Sequence, residues 1–222
     1  MNSVIEQVNA ACQQVRLLNT GPVTFKKLVA STRKYFKFHN IDAEIKLTKE
    51  KRSLAADEFY VMAYYDAEDD ADGFTPIEII IHHNIEADAS FPGHAVTEFL
   101  TQIYDATVHE FRHQRQSLDR NHVSYMEHPG PEDYKLYLSD PDEVDAYAFS
   151  IAIELLRFMP RDRALRYLTR ISVLAKMRKG MGLVSPMLQS YVYHFKNTKL
   201  LRRLAKKIHQ HIETIDTRHI FM

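Results

Sequence analysis

The chain has 222 residues, 45% of them hydrophobic, and its 29 Lys and Arg balance 29 Asp and Glu. That length suits one domain, residues 1–222, with a sizeable buried core. A formal charge of zero offers no global argument for nucleic acid or a membrane as partner, and a single cysteine, Cys12, excludes an internal disulfide framework or a cysteine-rich zinc site.

Residues 3–18 carry Val4, Ile5, Val8, Ala11, Cys12, Val15 and Leu18 at three- and four-residue steps, the pattern of an amphipathic helix. The same stretch has no positive region leading into a continuous apolar run, so no signal peptide is expected. Nothing in the chain approaches the ~20 apolar residues that span a bilayer. A soluble cytoplasmic protein is the expectation. Gly21-Pro22 ends the first helix, and a second is predicted from Thr24 to Phe38. Strands are predicted at 43–47, 59–65 and 77–82, where β-branched and aromatic residues gather. The acidic run Asp66 to Asp72 between the last two reads as a solvated loop.

Pro92-Gly93 introduces a helix over 95–117, with Val96, Phe99, Leu100, Ile103 and Val108 as its apolar stripe. A loop follows, holding His122 and His128. Ser139 or Asp140 can N-cap the next helix, whose first turn accepts Pro141 because the missing N–H has no helical partner there. That helix continues to Pro160, and helices over 161–178, 186–196 and 198–214 complete the chain. Helices, then strands, then helices make an α+β protein: N-terminal helices 1–40, a sheet and long helix 41–120, and a helical C-terminal part 121–222.

His109-Glu110-Phe111-Arg112-His113 lies inside the long helix. A four-residue spacing puts both imidazoles on one helical face, one turn apart, so their nitrogens can converge on one metal at about 2.0–2.1 Å. Glu110 can stand beside a metal-bound water without ligating the ion. Zinc lowers the pKa of that water toward neutrality, and Glu110 is the candidate base that takes its proton. This is the HExxH pattern of metal-dependent peptidases. Catalytic zinc takes three protein ligands and keeps one position open, and Glu143, near the start of the following helix, is the chosen third.

In Glu143-Val144-Asp145-Ala146 the chain resembles the gluzincin branch of the zincins, where HExxH is followed by a helix carrying a glutamate ligand in an ExxA context. The resemblance spans residues 76–158. It implies a zincin-like fold, a small twisted sheet packed on the HExxH helix, and a Zn2+-dependent peptidase acting on a peptide or protein substrate. It further implies that strand 77–82 borders the cleft and pairs with substrate. Tyr147 stands where an aspartate often orients a ligand histidine, which leaves Asp145 or Asp105 for that role. The strings HEFRHQRQ and YLSDPDEVDAYA are similar to metallopeptidase-like proteins of tailed phages and bacteria, which adds host cytoplasm or virion as a location.

Competing ligands are Asp119, which the metzincin spacing selects although Gln116 replaces the glycine of the metzincin turn, together with His122 and His128. The oxyanion of a transition state needs a donor, and Tyr137 and His128 are the leading candidates, followed by Tyr134, Tyr147, Tyr191, Tyr193 and His194. Of the pair His82-His83, one side chain should face solvent. The basic helix Lys199 to Ile208 reads as a solvated face, so no nucleic acid is expected as a partner. The rival to an enzyme is a non-catalytic zincin-fold protein, for example in a phage assembly, whose metal site is closed by a fourth protein ligand.

Overall fold

A computed structural model describes residues 2–122, 134–169, 184–195 and 198–222. They form two compact units, residues 1–123 with 221–222, and residues 124–220. The protein is α+β, with small sheets in the first unit and only helices among the described residues of the second. Among the described residues no helix is long and apolar enough to cross a membrane.

In the first unit α1 (Asn2–Leu18) buries Ile5, Val8, Ala11, Cys12 and Val15, the stripe its spacing predicts. Cys12 is a core residue; burial pushes its thiol far above the ordinary range, so it stays protonated. β1 (Val23–Thr24) pairs antiparallel with β5 (Ser90–Phe91), a two-residue ladder too short to leave a periodic signal. Thr24 then caps α2 (Phe25–Phe38) by accepting from Lys27 N–H.

The main sheet joins β2 (Glu44–Lys49), β3 (Phe59–Tyr65) and β4 (Ile77–His83) in the order β2-β4-β3, with β2 parallel and β3 antiparallel to β4. Ile77, Ile79, Ile81 and His83 point into the core, while Glu78, Ile80 and His82 lie on the other face, the alternation of a sheet buried on one side. Two expectations are corrected here. β4 is the central strand, hydrogen-bonded along both edges, so it cannot accept a substrate strand. The acidic run is also not a loop. It is α3 (Ala67–Asp72), capped by the Asp66 carboxylate on Glu68 and Asp69 N–H and ended by Gly73 at φ 79.

α4 (Gly93–Leu118) crosses β3 and β4 and packs on α1. Its buried Val96, Phe99, Leu100, Ile103, Tyr104, Thr107 and Val108 recur at three- and four-residue steps. Pro92 gives it no side-chain cap, so burial of this stripe holds the helix in place.

In the second unit Asp140, not Ser139, caps α6 (Pro141–Phe158), accepting from Asp142 N–H at 2.7 Å with Pro141 in the first turn. Burial reaches Val144, Asp145, Ala146, Ala148, Phe149, Ile151, Ala152 and Ile153, so α6 is apolar nearly all round and forms the centre of this unit. Around it pack α5 (Tyr134–Ser139), α7 (Arg161–Thr169), α8 (Pro186–His194) and α9 (Thr198–Thr214). The predicted extensions over 170–178 and at 196 lie outside the described residues.

Candidate metal centre

His109 and His113 sit one turn apart on α4, both half-buried, with their Nε2 atoms 3.2 Å apart. Two nitrogens each about 2.05 Å from a tetrahedral ion stand about 3.3 Å from one another, so the pair has the bite of a metal chelate. The same distance suits an imidazole N–H of one ring donating to the other. What distinguishes this pair is the outer side of His113, where Nδ1 lies 3.0 Å from Gln116 Oε1. An amide oxygen only accepts, so Nδ1 is the donor in this contact, which in the neutral ring leaves the lone pair on Nε2, toward His109. Gln116 is itself buried, at 9% exposure. Ligand histidines ordinarily have their second nitrogen held in this way. Gln116 was expected only to continue the helix; its three-residue spacing from His113 was the available signal.

Glu110 lies between the two histidines in sequence and is only 8% exposed. A carboxylate removed from water needs compensating partners, and such a residue is uncommon on a helix that serves packing alone.

Gln114, on the next edge of α4, donates to Asp70 Oδ1 at 3.1 Å, and Tyr65 O–H donates to Asp70 Oδ2 at 2.8 Å. Burial, with Asp70 beside it, pushes the Tyr65 phenol up to about 12, so it remains a donor. His122 Nδ1 lies 3.7 Å from the same Asp70 oxygen. The alternative ligand His122 is therefore drawn toward α3, at a turn where Asn121 and His122 have φ 54 and 62. The other alternative, Asp119, follows the uninterrupted α4 and pairs with Arg115 at 3.0 Å in solvent. His128 lies outside the described residues.

Glu143 belongs to the first turn of α6, where its backbone N–H contributes to the Asp140 cap at 3.4 Å. The Tyr137 hydroxyl lies 3.5 Å from that of Tyr147, and the charge of Glu143 is close enough to act on the Tyr137 phenol. Burial, reinforced by Tyr147 and by the negative charge of Glu143, holds the Tyr137 phenol far above its ordinary range, so it stays protonated. Tyr191, another sequence candidate, donates to Leu138 C=O at 3.0 Å and is committed to holding α8 on α5. Tyr193 is 80% exposed, and His194 meets Tyr134 ring to ring at 5.1 Å. Asp145, one of the two carboxylates considered for orienting a ligand, is buried with Lys207 Nζ at 2.9 Å and His211 Nε2 at 3.3 Å. Asp105, the other, lies close enough to Cys12 to raise its thiol further.

No protein-family model, no curated protein and no solved structure matches this chain.

Proposed function

We propose that the chain is a zinc-dependent metallohydrolase of gluzincin type, most suited to peptide bonds, with His109, His113 and Glu143 as metal ligands and Glu110 as general base. Each of the three ligands offers one atom, two imidazole nitrogens and a carboxylate oxygen, the borderline donor set that suits Zn2+. The single observation that carries the reading is the 3.2 Å Nε2 pair, with its His113 tautomer set by Gln116. When bound, such an ion acidifies a water and polarises a carbonyl. The residues do the rest. Glu110 accepts the proton of the attacking water and returns it to the leaving amine, and Gln116 orients His113.

β2 and β3 are the free edges of the main sheet, and β3 is the one packed most extensively on α4. An extended peptide would add to the β3 edge, where Val61 N–H now donates to Gln102 Oε1 at 3.1 Å. That assignment replaces strand 77–82 as the substrate-pairing strand.

The test is metal content and peptidase activity of the full chain. Protein offered zinc and dialysed should keep one ion per chain, and Glu110→Gln should keep it while losing about 10²–10⁴-fold in turnover of a peptide library. Glu143→Ala should weaken zinc binding. No retained metal would sink the reading, and unchanged turnover in Glu110→Gln would remove the proposed base. Undiminished affinity in Glu143→Ala would return the third ligand to Asp119, His122 or His128.

A further inference from the structure

The zero net charge conceals a strong segregation. Residues 157–218 contain fifteen Lys and Arg against three Asp and Glu. α9 concentrates this excess, with Lys199, Arg202, Arg203, Lys206 and Lys207 and no acid before Glu213. Three pairs of like charge stand four residues apart, 199 with 203, 202 with 206 and 203 with 207, and each opposes the helix. A face kept only for solubility alternates its signs.

The packing of α9 decides what this face can meet. Leu201, Leu204, Ile208 and Ile212 are buried, and the helix packs on α6 and α7. Its amphipathic character is therefore spent inside the second unit, and no apolar face is left to enter a lipid interface. Lys207 turns inward to the buried Asp145, which fixes the rotation of α9 about its axis. That rotation leaves Arg202, Arg203 and Lys206 exposed, and none of them has an ion pair among the described residues. Positive charge recurs at each turn, about every 5.4 Å, along one side of a straight helix. A linear array of one sign suits a linear polyanion, and a nucleic-acid duplex carries one negative charge per ~1.7 Å of axis. Guanidinium groups add bidentate pairing to phosphate oxygens.

We propose that the exposed face of α9 binds nucleic acid through its phosphate backbone, without reading base sequence, and that Arg202, Arg203 and Lys206 make the phosphate contacts. This surface is independent of the metal reading, because none of its residues is a candidate ligand. It also reverses the expectation of no nucleic-acid partner, which rested on the summed charge.

The full chain is titrated by fluorescence anisotropy against two unrelated DNA duplexes of ~25 base pairs, and an RNA duplex of the same length, between 50 and 200 mM salt. Three neutralised phosphates give a slope of about −2.7 in log K against log salt, and the two DNA sequences should bind alike. Arg202→Glu/Arg203→Glu/Lys206→Glu should lose at least about tenfold in affinity at 50 mM salt, with its slope moved toward zero. The milder Arg202→Gln/Arg203→Gln/Lys206→Gln, with helix content checked by circular dichroism, should lose affinity in the same direction. Absence of binding at 50 mM salt, or unchanged affinity in both folded variants, overturns the proposal. So does tighter binding to polyglutamate or to phosphatidylserine vesicles than to either nucleic acid, which would assign the face to an acidic protein or a membrane.

Discussion

Gln116 shows how one side chain turns a pair of histidines into a directed donor set. With its amide oxygen 3.0 Å from His113 Nδ1, it selects the tautomer whose Nε2 can ligate. Partners of this kind are worth about 10–100-fold in metal affinity. Gln116→Leu keeps the approximate volume and removes the acceptor. Zinc affinity measured by competition with a chromophoric chelator should fall by that factor; an unchanged value would show that the helix alone orients the ring. The convergence of His109 and His113 was legible in the sequence, because helical geometry converts a four-residue step into a shared face. The role of Gln116 was not. A glutamine three residues on from a histidine is common, and only its burial and the direction of its amide make it a partner. Tyr137 shows the same limit. The sequence offers it as an oxyanion donor, and only the fold brings its hydroxyl to 3.5 Å from that of Tyr147.

Among elements, α3 departs furthest from its sequence reading. Six residues dominated by acids are poor helix material by charge alone, yet Asp66 caps the first turn and Gly73 closes the last. Asp70 then ties the element down by accepting from Tyr65 and Gln114. Its side chain is 14% exposed, so solvent replaces these bonds only in part. Asp70→Ala should lower the stability of the first unit by about 1–3 kcal/mol in urea denaturation and speed amide exchange in α3. A loss under about 0.3 kcal/mol would mean that the cap and the Gly73 turn hold α3 unaided. β4 carries the complementary lesson. That Ile77 to His82 forms a strand was readable, but its central position was not. Strand-forming composition reports which segments extend. Strand order reports which backbones pair, and every strand offers the same N–H and C=O groups.

For the whole molecule, the path of the chain matters as much as its elements. After the helices of the second unit, Phe221 and Met222 return to the first. Phe221 is fully buried, 6.1 Å from the Tyr104 ring centroid, and Arg16 lies over its face at 5.2 Å. Arg16 also donates to the Met222 carbonyl. Phe221→Ala should destabilise the first unit by about 3–5 kcal/mol, read from its unfolding transition. A cost below about 1 kcal/mol would show that the site collapses without it.

What the sequence determined by itself was local. Three- and four-residue apolar steps specified α1, α2, α4 and α6, strand-forming residues specified the strands of the main sheet, and HExxH spacing put two imidazoles on one helical face. These follow from the rise and twist of a single segment, which a few consecutive residues dictate. Tertiary structure decided that β4 is central, that Asp70 anchors α3 to α4, that Lys207 turns inward so that Arg202, Arg203 and Lys206 face out, and that the chain's last residues fill the first unit. Each of those depends on contacts between residues far apart in sequence. Their energies come from burial and from paired polar groups, which no local spacing records.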